Sequence, residues 1–168
     1  MSIFKAYDIR GKVPEELDEA MAASIGPALV EFFRVDEIAI GHDCRLTNRL
    51  MFDAVADGIT REGVNVVDLG LLTTPMLYFA VGFYGFPAGV MVTASHNPPE
   101  YNGFKLCKAG AHPVADKDIQ VIAAYATSLA PSTTAARGTV RTQEIFEDYR
   151  EFILSHASGI EPLTVAVD

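Results

Sequence analysis

The sequence has 168 residues, of which 49% are hydrophobic and 21% are charged. This length and composition are typical of one folded globular domain and exclude a mostly disordered chain. The 22 acidic residues exceed the 13 lysines and arginines and give a net charge of −9, which argues against nonspecific binding to DNA, RNA or an anionic membrane. We therefore expect partners that are neither nucleic acids nor membranes.

The two cysteines and the N-terminus bear on the cellular compartment. Neither Cys44 nor Cys107 has a second cysteine or a histidine at metal-ligand spacing, so the sequence predicts no zinc site and no disulfide. We interpret both as reduced thiols in the core. The N-terminal residues lack the apolar stretch of a signal peptide, and no apolar run is long enough to span a membrane. These features favour a cytoplasmic protein.

Helices and strands are predicted in alternation along the chain. Apolar residues recur at helical spacing from Pro14 to Phe33, although Pro27 should bend this helix or end it at Gly26. The apolar run Glu37 to Gly41 predicts the first strand. The other predicted helices are Met51 to Gly63, Thr73 to Tyr84, Asp116 to Leu129 and Glu144 to Ser155, and the other predicted strands are Val64 to Leu69, Gly89 to Thr93, Gly103 to Cys107 and Leu163 to Asp168.

This order predicts an α/β fold with three layers, α/β/α, and a mixed, mostly parallel sheet between helices. The strands on either side of residues 94–102 are close enough in the chain to pair antiparallel. A polar connector covers Pro131 to Gly138. The aromatic cluster of the third helix is interpreted as core rather than as a ligand platform; it comprises Tyr78, Phe79, Phe83 and Tyr84.

A short polar loop after an apolar strand is the best candidate for chemistry. Residues 93–98 read TASHNP and place Ser95, His96 and Asn97 where α/β proteins bind ligands. An exposed serine there can receive a phosphoryl group if backbone N–H groups and cations face the phosphate, and His96 could move a proton. The alternative is an ordinary Asn-Pro turn with local hydrogen bonds.

Three basic residues beside glycine or aspartate could hold a phosphate together. They are Arg10, Arg45 and Lys105, and they stand out in an acidic chain because arginine offers a fork of donors and lysine a compact charge. Alternatively, each is a surface charge or pairs locally with Asp8 or Asp43. The remaining histidines, His42, His112 and His156, are interpreted as structural or solvated.

Four segments in this order resemble the first domain of the α-D-phosphohexomutases. They read FKAYDIRG at residues 4–11, GHDCR at 41–45, TASHNP at 93–98 and YNGFK at 101–105. The resemblance covers essentially the whole chain and is strongest to the bacterial phosphomannomutase and phosphoglucomutase members. It implies a sheet of four strands. It also implies that residues 1–158 form the phosphoserine domain, and that 159–168 are a linker and the first strand of a second domain outside this sequence.

The resemblance also implies roles for individual residues. Ser95 would carry the phosphoryl group with His96 beside it, Arg10 and Lys105 would contact that group, and Tyr7 and Asn97 would line the substrate and phosphate site. Magnesium would bind the phosphate on Ser95, with its other ligands outside this chain, and a hexose 1,6-bisphosphate would serve as activator and intermediate.

The implied reaction interconverts hexose 6-phosphate and hexose 1-phosphate, with mannose as the preferred sugar and the remaining domains of the polypeptide as partners. On this view the chain alone is inactive. Alternatives are a preference for glucose, or a phosphosugar-binding domain without turnover. A serine hydrolase that uses Ser95 and His96 is disfavoured, because adjacent residues point apart and no G-x-S-x-G motif occurs.

Overall fold

The computed structural model describes residues 3–128, 136–157, 159 and 164–166. Within these residues the strands are β1 (Ile9–Lys12), β2 (Glu37–His42), β3 (Asn65–Leu71), β4 (Ala88–Val92), β5 (Tyr101–Lys108), β6 (His112–Pro113) and β7 (Val140–Thr142). The helices are α1 (Glu19–Phe33), α2 (Asn48–Arg61), α3 (Thr74–Phe83), α4 (Asp116–Ser128) and α5 (Phe146–Ser155), with a 3-10 turn at Ala109–Ala111.

The strands form one mixed sheet in the order β1-β5-β4-β2-β3-β7, and β6 pairs with β5. Strand β2 runs parallel to β3 and β4, and β3 runs parallel to β7. Strand β5 runs antiparallel to β1, β4 and β6. The predicted mixed α/β fold is confirmed, but the described residues give seven strands rather than four, and parallel pairs do not outnumber antiparallel ones.

Helices cover both faces of the sheet because its central strands are apolar on both sides. Ile38, Ile40 and Val90 pack with α1, α2 and α4 in one core cluster. Ala39 and Met91, which alternate with them along the same strands, pack with α3 in a second cluster. Alternate strand residues point to opposite faces, so two separate clusters establish the three layers.

Helix α1 begins later than the sequence predicts and continues through its proline. Asp18 caps it by accepting a hydrogen bond from the Met21 N–H at 2.7 Å, which fixes the first turn at Glu19 rather than Pro14. The helix runs past Pro27 to Phe33 without ending at Gly26. A Cβ at Gly26 would lie 2.7 Å from the Gly58 backbone, so the two glycines allow α1 and α2 to pack closely.

The prediction of two core thiols is right for only one cysteine. Cys107 is buried on β5, and burial raises the pKa of its thiol to about 12. Cys44 is exposed, because it lies in the turn after β2 rather than on the strand itself.

The predicted aromatic cluster at α3 is divided between a surface groove and the edge of the core. Helix α3 packs on the sheet through smaller residues, Leu77, Ala80 and Val81, which turns the aromatic rings outward toward α5. Phe83 is 59% exposed, whereas Tyr78, Phe79 and Tyr84 are half-buried. Tyr78, Phe79 and Phe83 line an apolar groove of about 530 Å³ together with residues of α5, whereas Tyr84 does not. Tyr78 and Tyr84 also pack against the second core cluster, so the core interpretation is wrong for Phe83 and right in part for these two.

Two predicted segments lie partly or wholly outside the described residues. The connector from Pro131 is described only from residue 136, and half of the predicted strand from Leu163 to Asp168 lies outside the described residues. Residues 164–166 are exposed and belong to no strand. Across the described ranges, no helix is both long and apolar enough to cross a lipid bilayer.

Candidate active site

The loop of residues 93–100, which contains the predicted TASHNP segment at 93–98, follows the carboxyl end of β4 and lies beside the carboxyl end of β2. The two strands are parallel and pair His42 with Val92, and the Asp43 N–H then donates to the Val92 carbonyl at 3.2 Å. Ligands of open α/β sheets bind beyond such carboxyl ends. The loop therefore occupies a position typical of a ligand site.

Ser95 has an exposed side chain on a strained backbone. Its φ of 55° lies in the left-handed region, which costs a residue other than glycine about 1 kcal/mol or more. Its Oγ lies 3.4 Å from Nδ1 of His96, which is also exposed. The two neighbouring side chains are thus within reach of each other and do not point apart as the sequence analysis assumed.

The Ser95 backbone is held by a chain of side-chain hydrogen bonds. The Ser95 N–H donates to Thr93 Oγ1 at 2.8 Å, and the Thr93 hydroxyl donates to Asp43 Oδ2 at 2.6 Å. The Asn97 N–H donates to the Ala94 carbonyl at 3.1 Å. These two loop N–H groups are therefore engaged within the protein, so in this conformation they are not free to bind a phosphate.

Arg45 binds the loop itself instead of presenting its guanidinium to a phosphate. Its side chain is only 11% exposed, and its two terminal nitrogens donate to four loop carbonyls. Asp43 lies beside it, with Oδ2 3.5 Å from Arg45 Nε. The predicted cluster of three phosphate-binding cations is thus reduced to Arg10 and Lys105, because both terminal nitrogens of Arg45 donate to carbonyls of the protein. Arg45 Nε is buried and has no hydrogen-bond partner among the described residues.

A buried pair of asparagines, which the sequence analysis missed, joins the β2 turn to β5. Asn102 Nδ2 donates to Asn48 Oδ1 at 2.7 Å and to Thr47 Oγ1 at 2.8 Å. Asn48 Nδ2 in turn donates to the Asp43 carbonyl at 2.6 Å. Both asparagines are almost fully buried, which is rare for this residue type and is tolerated because their amides are hydrogen-bonded. The one signal in the sequence is the helical spacing of Asn48 with Met51, Phe52 and Val55, which places this polar residue on the apolar face of α2.

Arg10, Tyr7 and Asn97 meet in one open cleft of about 530 Å³ beside the loop. Tyr7 is 74% exposed, so its ring is available to a ligand. Arg10 pairs through Nη2 with Asp8, as the alternative interpretation expected. Its Nε, however, is buried and has no hydrogen-bond partner among the described residues. An unsatisfied buried donor costs about 1–3 kcal/mol, which a ligand oxygen in the cleft would offset.

Lys105 lies on the same face of the sheet as Arg10. Phe104 and Leu106 point into the core beneath α1, so Lys105 between them points to the opposite face, as does Gly103. Gly103 pairs with Arg10, which makes Arg10 and Lys105 diagonal neighbours about 7–8 Å apart in backbone position. Lys105 is half-buried and forms no ion pair within the part of the chain that the structure describes.

The glycine of the YNGFK segment is required by the approach of β1. A Cβ at Gly103 would lie 2.0 Å from the Ile9 carbonyl oxygen and 3.0 Å from the Arg10 Cα, both backbone atoms that cannot move aside without unpairing the strands. The absence of a side chain at this position therefore lets β1 bring Arg10 to the edge of the loop.

The remaining histidines have structural or solvent-exposed positions, as interpreted from the sequence. His42 Nδ1 donates to the Asp43 carbonyl at 2.9 Å, and its ring meets the edge of Phe52. His156 Nδ1 donates to the Phe152 carbonyl at 2.8 Å within α5, and His112 is exposed.

The described residues do not by themselves form a metal centre. Within residues 3–128 and 136–157, no group of three or more histidine, cysteine, aspartate or glutamate side chains is placed to hold a metal ion. Magnesium prefers octahedral coordination by oxygen and usually takes one or two carboxylates together with phosphate oxygens. The loop could supply a phosphate on Ser95, and Glu100 is its one acidic side chain.

Comparison with known proteins gives a consistent family assignment. The sequence profile described as "Phosphoglucomutase/phosphomannomutase, alpha/beta/alpha domain I" matches residues 1–132. A phosphomannomutase of Salmonella montevideo is 39% identical over 100% of this chain and 38% of its own length. A phosphomannomutase of Klebsiella pneumoniae is 41% identical over 89% of this chain and 97% of its own length.

A solved structure matches the fold as well as the sequence. A phosphoglucomutase/phosphomannomutase family protein from Burkholderia thailandensis superposes with a TM-score of 0.81 at 34% identity, over 91% of this chain and 35% of its own. The chain thus spans about 38% of the length of the Salmonella montevideo relative and of several other curated relatives. The α/β/α domain I profile matches residues 1–132 of the 168 residues of this chain.

Proposed function

This chain belongs to the phosphoglucomutase/phosphomannomutase family, and from that membership we propose that the whole protein is a phosphosugar mutase that interconverts hexose 6-phosphate and hexose 1-phosphate. The observation that carries the proposal is the exposed Ser95 hydroxyl at the carboxyl end of β4, next to the cleft that contains Arg10, Tyr7 and Asn97. The chain spans only about 38% of the length of several relatives. We therefore propose the activity for the whole protein and not for this chain alone.

In the proposed reaction Ser95 carries a phosphoryl group in the resting enzyme. The group passes to the free hydroxyl of the hexose monophosphate: the bond between phosphorus and Ser95 Oγ breaks, and a bond between phosphorus and the sugar oxygen forms. The sugar hydroxyl loses a proton and Ser95 Oγ gains one. The product is a hexose 1,6-bisphosphate. It reorients within the site and then transfers its other phosphoryl group back to Ser95.

The residues of this chain supply charge and proton transfer for both halves of the reaction. Arg10 lines the cleft, and Lys105 lies on the same face of the sheet but outside the cleft lining. Their positive charges would neutralise the equatorial oxygens of the transferring group. His96 Nδ1 lies 3.4 Å from Ser95 Oγ, so it can give a proton to this oxygen as it leaves and take one as it attacks. Tyr7 and Asn97 would contact the bound sugar phosphate.

Magnesium is part of the proposal but not of this chain's own chemistry. A phosphate on Ser95 would provide oxygen ligands that suit the ion, and carboxylates from outside the chain would complete its shell. When bound, the ion would neutralise negative charge on the phosphoryl group.

The substrate preference is proposed from the relatives. Several of them are named phosphomannomutase, so mannose is the proposed sugar and glucose the alternative. A hydrolase based on Ser95 and His96 is not supported, because no carboxylate in the described ranges hydrogen-bonds His96 and orients its ring. A phosphosugar-binding domain without turnover remains the alternative of a different class.

We expect the whole protein to convert mannose 1-phosphate to mannose 6-phosphate when primed with glucose 1,6-bisphosphate, and to act less efficiently on glucose 1-phosphate. The 168-residue chain alone should fold, since both core clusters are complete within it, but should show no conversion. A coupled assay of both proteins on both sugars, with circular dichroism for folding, measures this.

The outcomes separate the three candidate functions. Preference for glucose would replace mannose as the substrate and leave the mutase function intact. No conversion of either sugar by the folded, primed whole protein would refute the mutase in favour of the binding domain. Turnover by the chain alone, from a host that lacks its own mutase, would refute the requirement for other domains.

A further inference from the structure

We propose that Arg45 is a positioning residue for phosphoryl transfer, which holds the backbone of the Ser95 loop in its reactive conformation without touching the phosphoryl group. The inference rests on the mutase function proposed above. It assigns a role to the GHDCR segment that differs from the phosphate contact expected of an arginine near such a site.

The first observation is how much of the loop one guanidinium binds. Nη2 of Arg45 donates to the carbonyls of Ser95 at 2.8 Å and Asn97 at 2.7 Å, and Nη1 donates to those of Pro98 at 2.8 Å and Tyr101 at 2.9 Å. These four acceptors extend from the serine itself to the first residue of β5. All four distances are short enough for strong hydrogen bonds to a charged donor.

The second observation is that the loop has few hydrogen bonds of its own to keep its shape. Its internal hydrogen bonds join the Asn97 N–H and Nδ2 to the Ala94 carbonyl and the Tyr101 N–H to the Pro98 carbonyl, and outside the loop the Val13 N–H donates to the Glu100 carbonyl. None of these bonds holds the Ser95 or Asn97 carbonyl, which Arg45 binds. Ser95 meanwhile holds a left-handed backbone conformation, with a φ of 55°, which a serine leaves readily unless its surroundings prevent it. The Arg45 side chain is therefore the main contact that can fix the path of the loop carbonyls.

The third observation is that both backbone groups of Ser95, its N–H and its carbonyl, are held by residues of the turn that follows β2. Asp43 fixes the Ser95 N–H through the Thr93 hydroxyl, and Arg45 fixes the Ser95 carbonyl directly. Asp43 also accepts the Arg45 backbone N–H at 3.0 Å and lies 3.5 Å from its Nε, so the two holding residues fix each other. The orientation of the Ser95 hydroxyl thus follows from the geometry of this turn.

The same contacts argue that Arg45 does not bind the phosphate. Both terminal nitrogens already donate to carbonyls, and the side chain is only 11% exposed. Loss of Arg45 should therefore displace the serine rather than weaken substrate binding. A lysine cannot replace it, because an ammonium group has three donors at one point and cannot bridge four acceptors along the loop.

The test compares Arg45→Lys with Arg49→Lys in the whole protein. Arg49 is a matched control in the same segment, because it is 65% exposed and its contacts with Asp53, Asp68 and the Phe52 ring do not involve the Ser95 loop. We expect Arg45→Lys to lower kcat by roughly 10-fold to 100-fold, since a displacement of about 1 Å can cost that much. The KM for mannose 1-phosphate should change by less than about threefold, because no ground-state contact is lost.

Two further measurements distinguish positioning from general destabilisation. Hydrogen exchange of residues 94–101 should be faster in Arg45→Lys and unchanged in Arg49→Lys, with the helices of both proteins equally protected. Millimolar guanidinium ion should restore part of the kcat of Arg45→Ala, because it can occupy the same site, and should do nothing for a Ser95→Ala variant.

The outcomes also separate this inference from the proposed function. An active wild-type protein whose Arg45→Lys variant keeps its kcat would overturn the inference alone. So would a rise in KM at constant kcat, which would make Arg45 a substrate ligand, or a kcat loss that matches a loss of folded protein. A folded, primed wild type without turnover would instead overturn the proposed function and the inference with it.

Discussion

Replacing Ser95 by alanine in the whole protein should lower kcat for mannose 1-phosphate by about 10⁴-fold or more. The reason is that Ser95 Oγ is the atom that carries the phosphoryl group. Without this nucleophile the covalent phosphoenzyme cannot form, so the loss is larger than that of a single binding contact. Thermal stability should hardly change, because the Ser95 side chain is exposed and, among the described residues, its hydroxyl has a hydrogen-bond neighbour only in His96 Nδ1 at 3.4 Å. The coupled mutase assay, with a thermal melt of the same sample, measures both quantities.

Ser155→Ala is the matched control for this variant. Ser155 is exposed at the end of α5. Its hydroxyl donates to the Phe152 carbonyl of the same helix at 2.7 Å and lies 3.0 Å from His156 Nδ1. We expect wild-type turnover from it. If the Ser95→Ala protein retained more than about a tenth of the wild-type kcat, Ser95 could not be the group that accepts the phosphoryl in every cycle.

Arg10→Ala and Lys105→Ala should each lower kcat of the whole protein by about 10²-fold or more. Both residues lie on the same sheet face, and removal of one preorganised donor at developing charge typically costs about 3 kcal/mol. Arg10 Nε and Arg45 Nε are both buried without a hydrogen-bond partner among the described residues, but only Arg10 also lines the cleft where a ligand could bind. Steady-state kinetics at saturating substrate and primer measures these losses.

His42→Ala is the control for the two charge removals. His42 also lies at a strand end near the loop and can carry a positive charge, but its Nδ1 donates to the Asp43 carbonyl and its ring packs against Phe52. Its removal should lower kcat far less than the removal of Arg10 or Lys105. A folded His42→Ala protein as impaired as Lys105→Ala would place the GHDCR turn in direct contact with the reacting group.

The central elements of the fold were predictable because their apolar patterns are local. Strand β2 and helix α3 each carry a clear apolar run, so their predicted bounds differ from the structure by only one or two residues. Strands β1 and β7 were missed because they are short, with four and three residues, and contain few apolar side chains. Their strand conformation depends on pairing with β5 and β3, which are distant in the sequence.

The candidate site was predictable in its residue types but not in all their contacts. The polar TASHNP loop after an apolar strand identified Ser95 and its neighbours, and the structure brings Tyr7, Arg10 and Asn97 into one cleft. The contacts of Arg45 were not predictable, because its acceptor at Ser95 is 50 positions away. The exposure of Cys44 likewise depends on where β2 ends, since a one-residue shift would point its side chain to the opposite side.

The phosphorylation state of Ser95 is the most direct measurement of the proposed mechanism. Peptide mass spectrometry of the purified whole protein should find one phosphoryl group on the peptide that contains residues 93–105, assigned to Ser95. The group should be lost on incubation with excess mannose 1-phosphate and return with glucose 1,6-bisphosphate. A protein that turns over mannose 1-phosphate at its full rate while Ser95 stays unmodified throughout would contradict the mechanism.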